Sequence, residues 1–577
     1  MRYFRLFAPY LRGSRLRCVL APLFKMLEAV LELFTPLVVA RMIDLGIGAG
    51  DKNYVYKMVG LLALFAAVGL AFSLTAQYFA AGASVSFTQR LRSALFGRAV
   101  HLTDPQTNAV GVPTLIGRMT GDMDTVQTGV NLSLRLLLRS PFVVAGAMIM
   151  AFTVDANAAV TFAVVIPLLS LIVFGILIAT IPLYDRIRSA LDGVLLTARE
   201  SLNGVRVLRA FRVERLLTKE FKEKNDRLTR LQEATGRISA LLNPLTILLI
   251  DLAIAILIYR GAVRVDRGLL TQGAVVALYN YMAQILVELI KFANLVITIT
   301  KSIACAGRIG SVLELSASQR TGSASEGDGA EAIRFDHVTF TYENAGDATL
   351  RDVNFCVRRG ETVGIIGATG SGKSTLIDLI PAFYTAEQGD VFVFGKNTKD
   401  WDPASLRKKI AIVPQRSQLV KGTVRSNLLW GDPNATEAAM IEALKIAQAY
   451  DFVMEKGGLD APVGQAGGGF SGGQRQRLCI ARALVRQAEL LILDDSFSAL
   501  DYVTDAAVRR GISQACRDTT VVIVSQRTSS ILHADQILLL EDGVCTPGTH
   551  ASLMRTSSVY REIHLTQFEE EATAHEA

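Results

Sequence analysis

Residues 361–380 read ETVGIIGATGSGKSTLIDLI: a β-branched run, a glycine loop and an apolar helix pattern. Gly367, Gly372, Lys373 and Ser374 fit the spacing GxxxxGK[ST]. Such glycines let backbone N–H groups turn inward around phosphate oxygens, and the helix start beyond them adds its dipole. The expected phosphate-binding loop is therefore Gly367, Ala368, Thr369, Gly370, Ser371, Gly372, Lys373, Ser374 and Thr375. Lys373 reaches the β/γ-phosphates of ATP, and the Ser374 hydroxyl is placed to bind Mg²⁺. A second element, LLILDD at 490–495, is a buried strand with Asp494 at its end, a second Mg²⁺ ligand. A third, FSGGQRQR at 470–477, puts Ser471, Gly472 and Gly473 at the start of a helix over 474–486. That is another anion-binding helix start. One chain needs one grip on a phosphate; a second makes sense if it serves a nucleotide held by another chain.

Two solvents are written into the composition. The chain has 577 residues, 50% hydrophobic and only 20% charged, where soluble domains carry about 25%. Residues 1–320 hold 35 Lys/Arg against 20 Asp/Glu, and residues 321–577 hold 25 against 33. An apolar, basic half precedes an acidic one of soluble character. Nucleic-acid binding is not expected, because the basic residues flank long apolar runs and few aromatics interleave them. Cys18, Cys305, Cys356, Cys479, Cys516 and Cys545 form no CxxC, which reads as reduced thiols rather than a metal or disulfide framework.

Six apolar stretches, near 18–44, 58–86, 130–154, 157–183, 239–264 and 270–300, are long enough to span a bilayer. The first 17 residues carry five Arg and read as an amphipathic helix on the cytoplasmic face. Arg90, Arg92, Arg98 and Arg118 come after span two, and thirteen Lys/Arg lie between Arg186 and Arg237. The opposite loops are poorer in Lys/Arg, although a few Arg near 260–267 weaken the asymmetry. The positive-inside rule then puts both termini and both long connections in the cytoplasm of an inner (plasma) membrane protein. The stretch 185–238 lacks proline and reads as helix running past the bilayer, with Glu220/Lys224 and Glu223/Arg227 as i,i+4 pairs.

Charges inside the spans are Lys25, Glu28, Glu32, Arg135, Arg139, Asp251, Glu288 and Lys291. Intramembrane acids facing a cavity would favour a cationic amphiphile; i,i+3 neutralisation of Lys25/Glu28 and Glu288/Lys291 is the local alternative. The Ser/Gly-rich segment 316–330 reads as a flexible joint. Beyond it, short β-rich runs at 333–340, 353–357, 361–366, 391–395, 410–413, 489–493, 520–524 and 536–541 alternate with helices. The fold class is thus multidomain: an all-α six-helix transmembrane domain (1–315), a linker (316–330), an α/β P-loop ATPase domain (331–565) and an acidic tail (566–577).

Taken together, these elements resemble a half-transporter of the ABC exporter family over essentially the whole chain. Residues 367–375 resemble its Walker A loop, and 490–494 its Walker B strand. Ser471, Gly472, Gly473 and Gln474 match its signature, with Phe470 where Leu is usual. The resemblance implies that Gln415 touches Mg²⁺ and the attacking water, and that Tyr342 stacks on adenine. It makes 498–501 a D-loop, and GRMTGDMDTVQ at 117–127 and ESLNGVRVLRAFRVE at 200–214 the intracellular segments that dock on the ATPase domains. Gln465 and Ala466 depart from a Glu-Arg common before the signature.

Two further departures bear on chemistry. Asp495 stands where the family has Glu, the base that polarises the attacking water; Asp is one methylene shorter. Gln526 stands where the family has a γ-phosphate-contacting His; its amide can donate a hydrogen bond but carries no proton or charge. The resemblance therefore implies a degenerate ATP site, with Asp495, Gln526 and Gln415 as its reacting-end residues and Ser374, Gln415 and Asp494 on Mg²⁺. A second half-transporter is the expected partner, as in heterodimeric exporters, with the bilayer and a small-molecule or amphiphilic substrate. A homodimer with two slow sites and an importer of a metal chelate are the alternatives.

Overall fold

The computed structural model describes residues 2–315, 322–327, 329–342 and 345–576. Of the expected joint, residues 316–321 and 328 lie outside the described residues. The chain divides into two compact units: Met1–His101 with Val110–Ser316, and Leu102–Ala109 with Ala317–Ala577.

The first unit is helical. Five segments among the described residues are long and apolar enough to cross a membrane: Lys52–Val100, Val112–Val154, Ala156–Asn203, Glu214–Asp266 and Gln272–Leu313. The expected first span is the helix Arg15–Arg41, 27 residues carrying Lys25, Glu28 and Glu32, or about 40 Å at 1.5 Å per residue. Side-chain caps start the helices that come after short loops. Asp51 accepts from Asn53 N and Tyr54 N, Asp155 from Ala158 N, and Thr271 from Ala274 N. Each satisfies backbone donors that would otherwise be left open at a helix start. Asp155 also pairs with Arg264 at 2.7 Å, which neutralises one of the arginines that blurred the loop-charge asymmetry.

The expected uninterrupted helix over 185–238 is in fact broken. Helix Ala156–Asn203 stops at Gly204, Val205–Phe211 makes two turns, and Glu214–Ala240 begins beyond Arg212, whose φ is 56°. A left-handed residue cannot continue an α-helix. Glu220 and Lys224 pair at 2.7 Å; no Glu223–Arg227 pair stands beside it among the described residues.

Small residues let the helices approach closely: Ala29, Ala147, Ala151, Ala159, Ala253 and Ala277 are buried in one cluster. Within that packing three of the four intramembrane acids, Glu28, Glu32 and Glu288, are paired, while Asp251 is exposed. Arg139, only 6% exposed, donates to Glu288 Oε1 at 2.5 Å and to Glu32 Oε2 at 2.6 Å. Ser140 donates to Glu288 Oε2 at 2.9 Å, and Lys291 Nζ reaches Oε1 at 2.9 Å. Lys25 meets Glu28 at 2.6 Å. A row of free acids awaiting a cation is therefore not what these helices present.

The second unit holds two larger sheets and a two-stranded one, Gly422–Thr423 with Pro462–Val463, among the described residues. Six strands lie in the order Val544–Gly548, Gln536–Glu541, Thr362–Gly367, Thr520–Val524, Leu490–Asp494, Ile410–Val413. All neighbours are parallel except the Val544–Gly548 edge. The inner strands are apolar throughout, as helices on both faces demand. A separate antiparallel sheet joins Leu350–Arg358, Glu331–Phe340, Gln388–Val393 and Lys396–Asn397. Each of the eight β-runs read from sequence overlaps a strand; the edge Val544–Gly548, with Pro547 in it, and the two-residue strands Lys396–Asn397, Gly422–Thr423 and Pro462–Val463 escaped that reading. The last helix, Ser558–Glu576, runs across the expected 565/566 boundary.

Because Arg139 is buried between two carboxylates, removing one of them should be costly. Glu288→Met alone is expected to destabilise the first unit by about 3–5 kcal/mol, with Arg139→Met plus Glu288→Met nearer to neutral. Thermal midpoints of the full-length chain in detergent check this; equal loss in the single and the double variant contradicts the pairing.

Candidate functional site

Four parallel strands end together. In register, Val524 lies opposite both Asp494 and Ile365, and Val413 opposite Leu493. The ladder continues one residue further, with Asp495 N donating to Val524 O at 3.0 Å and Ser525 N to Ile365 O at 3.0 Å. The residues just past each strand are thus delivered to one edge, the carboxyl edge where open α/β sheets bind ligands. The phosphate loop arrives there after 367, Asp494 and Asp495 from the second strand, Gln526 from the third, and Gln415 two residues past Val413.

These residues line one cavity of about 360 Å³. It gathers Tyr342, Thr369, Gly370, Gly372, Lys373, Ser374, Thr375, Gln415, Asp494, Asp495 and Gln526 from segments far apart in sequence. Gly367, Ala368 and Ser371 complete the loop without lining the cavity. Gly372 has φ 99°, and a Cβ there would meet Leu350 Cδ2 at 2.9 Å and Thr349 O at 3.0 Å, so the loop tolerates no side chain at that point.

The donor set fits a triphosphate. Lys373 Nζ folds onto the loop's own carbonyls, Gly367 O at 2.9 Å and Ala368 O at 2.8 Å. Burial holds its pKa below the usual lysine value, opposed by Asp495 and Asp494. Ser371 Oγ is buried with no hydrogen-bond partner among the described residues, a hydroxyl suited to a phosphate oxygen. For Mg²⁺, Ser374 Oγ lies 3.5 Å from Asp494 Oδ2. Burial first, then the neighbouring Asp495 charge, pushes the Asp494 pKa up; a divalent cation is the natural counter-charge for such a pair.

At the reacting end, Gln415 Nε2 donates to Asp495 Oδ2 at 3.5 Å. Asp495 itself has φ 45°, a left-handed conformation that Asp tolerates better than Glu or β-branched residues do. Tyr342 directs its hydroxyl to Thr375 Oγ1 at 2.9 Å and packs edge-on against Phe340 and Tyr384. The signature residues stand apart from this cavity. Ser471 caps the helix Gly472–Val485 reciprocally with Gln474: Oγ accepts from Gln474 N at 3.3 Å, and Ser471 N donates to Gln474 Oε1 at 3.0 Å. Asp501 likewise caps the helix Tyr502–Ala515, so the segment 498–501 ends as a helix start.

Two things were missed in the sequence. One is that Leu102–Ala109, a segment from the first half of the chain, clusters with the ATPase unit, where Asn108 Nδ2 reaches Tyr384 Oη at 3.4 Å. Residues 117–127 belong to the first unit, where Asp122 forms a two-point pair with Arg308 at 2.5 and 2.8 Å. The other is Asp378, one turn after Ser374 on the helix Lys373–Leu379. Burial, with Asp494 and Asp104 nearby, pushes its pKa up to about 6. The i,i+4 spacing from Ser374 was the available signal.

A helical membrane unit joined to a sheet whose carboxyl edge builds a phosphate loop defines a membrane-bound P-loop ATPase. The family model for the ABC transporter transmembrane region matches residues 18–289, and the ABC transporter model matches residues 350–498. An uncharacterized ABC transporter ATP-binding protein of Mycobacterium tuberculosis is 33% identical over 565 residues, covering 97% of each chain. The ATP-dependent lipid A-core flippase of Escherichia coli K12 is 27% identical over 572 residues, 98% of each. A solved bacterial Atm1-family ABC exporter with ATP bound shares the fold, with TM-score 0.81 and 22% identity over 96% of this chain and 98% of that one. The chain belongs to the ABC transporter family and is a half-transporter of the exporter type.

Asp378 offers a check on the electrostatics. Its folded pKa lies above the unfolded value, so the folded state keeps a proton that the unfolded state has lost. Stability therefore falls as pH rises from about 4 to about 6 and levels off beyond that. Asp378→Asn should stabilise the nucleotide-free full-length chain at pH 7.5 by on the order of 1 kcal/mol, with a smaller gain at pH 5. Thermal midpoints at the two pH values decide it; a gain that grows toward low pH contradicts the assignment.

Proposed function

We propose that this chain is the degenerate-site half of a two-chain ATP-driven exporter. One observation carries the reading: Asp495 and Gln526, the two residues at the reacting end of the cavity, both depart from the family's chemistry, while the phosphate loop and the signature keep theirs. A carboxylate drawn back by about a bond length loses reach to a water, and misplacement by about 1 Å costs on the order of 10²-fold in rate. Gln526 donates a hydrogen bond to the γ-phosphate but takes up no charge.

In this reading Tyr342 holds adenine, residues 367–375 wrap the phosphates, and Ser374, Gln415 and Asp494 hold Mg²⁺. The metal supplies charge neutralisation on the phosphates. Ser471, Gly472, Gly473 and Gln474 serve the partner's nucleotide, so that two chains close head to tail on two ATPs. Closure shifts the membrane halves from inward- to outward-facing because ATP binds the closed state more tightly. Residues 1–315 form the membrane domain, 316–330 the joint, and the ATPase domain runs from 331 through the last helix. The loop charges support cytoplasmic termini and a cytoplasmic ATPase domain at the inner membrane. An amphiphilic cargo is supported by kinship with lipid A-core flippases, and the pairing of Glu28, Glu32 and Glu288 gives no support to a cationic preference.

The test is ATPase turnover of the purified chain alone and with its co-purified partner. Little turnover is expected alone. Asp495→Glu with Gln526→His should raise hydrolysis by this chain's site by about 10- to 100-fold. Brisk multiple turnover by an assembly of unaltered copies of this chain would overturn the proposal.

A further inference from the structure

The helix Ser558–Glu576 presents one stripe, Tyr560, His564 and Gln567, at i, i+4 and i+7. Tyr560 is fully buried and shares a hydrogen bond with His550 Nδ1 at 2.9 Å, which anchors the stripe at its start. Two turns on, Gln567 meets the loop that leaves the strand Thr520–Val524. Its Oε1 accepts from Thr528 N at 2.8 Å and from Thr528 Oγ1 at 3.1 Å, and its Nε2 donates to Gln526 O at 2.7 Å. His564 Nδ1 lies 3.1 Å from Thr528 Oγ1. Inside the loop, Arg527 N donates to Ser525 Oγ at 2.9 Å.

Only an amide satisfies this pattern. The acceptor end must meet an N–H and a hydroxyl while the donor end meets a carbonyl, so neither a carboxylate nor a flipped amide fits. The residue clasped through its own backbone is Gln526, which lines the cavity of the phosphate loop. We propose that Gln567 is a positioning residue that sets Gln526 against the terminal phosphate, so that preference for ATP over ADP at this site depends on the C-terminal helix. The inference rests on the proposed nucleotide site. A helix that only stabilised the domain would affect both nucleotides alike; one that places Gln526 affects the nucleotide that has a γ-phosphate.

The experiment uses the full-length transporter with its co-purified partner, photolabelled with a radioactive azido-ATP at low temperature, and reads this chain's own band. Labelling is competed with ATP and with ADP. Gln567→Ala is expected to weaken ATP competition by about 3- to 10-fold, the effect of losing one or two hydrogen bonds, with ADP competition unchanged. Gln567→Glu, nearly isosteric, should do the same, because its carboxylate faces the Gln526 carbonyl; it serves if the alanine variant fails to fold. Combined with Gln526→Ala, Gln567→Ala should add nothing further. Equal weakening of ATP and ADP, or no change in either variant, overturns the positioning role. An unaltered chain that takes no label overturns the nucleotide-site reading and this inference with it.

Discussion

Parallel register is the constraint on which this molecule's chemistry depends. Val524 sits opposite Asp494 and Ile365, and Val413 opposite Leu493. A slip of one residue in any pair would turn every side chain of that strand to the other face. It would also carry Asp494 or Gln526 about 3.3 Å along the strand axis, out of reach of the phosphate loop. Both faces of these strands are buried, with Leu490, Leu491, Ile492 and Leu493 each at most 3% exposed and Val521, Val522 and Val524 at most 4%. In so close-packed an interior a slip is opposed by the fit of each side chain to its own neighbours.

The membrane unit meets the same difficulty, polar groups in a dry interior, in a different way. Arg139 is held by Glu288 and Glu32, and Ser140 and Lys291 fill the remaining acceptor sites on Glu288. This network fixes the mutual positions of helices Arg15–Arg41, Arg139–Val154 and Gln272–Leu313, since a guanidinium between two carboxylates has a narrow choice of geometry. Small residues alone would permit sliding. The charges limit it, which suits a unit whose helices must hold together while they move.

The two departures at the reacting end differ in kind. Asp495 is shorter than the family's residue and also left-handed at φ 45°, with its carboxylate facing the Gln415 amide. Gln526 keeps a donor but gives up the ionisable ring, and its loop is fastened from behind by an amide rather than by an acid or a base.

Local sequence determined a good deal here. The spacing of Gly367, Gly372, Lys373 and Ser374, the apolar run ending in Asp494 and the Ser471–Gln474 helix cap each depend on residues close in the chain, and backbone geometry over a few residues is what spacing encodes. The apolar lengths of the spans are legible for the same reason. Tertiary structure alone decided the rest, because it brings together residues hundreds of positions apart. The pairing of Arg139 with Glu32 and Glu288, the clustering of Leu102–Ala109 with the ATPase unit, and the hold of Gln567 on Gln526 and Thr528 leave no periodic trace, since hydrogen bonds between distant segments impose no pattern on their neighbours. The break at Arg212 also shows only in the structure: 185–238 carries no proline, and the left-handed φ of 56° falls on an arginine.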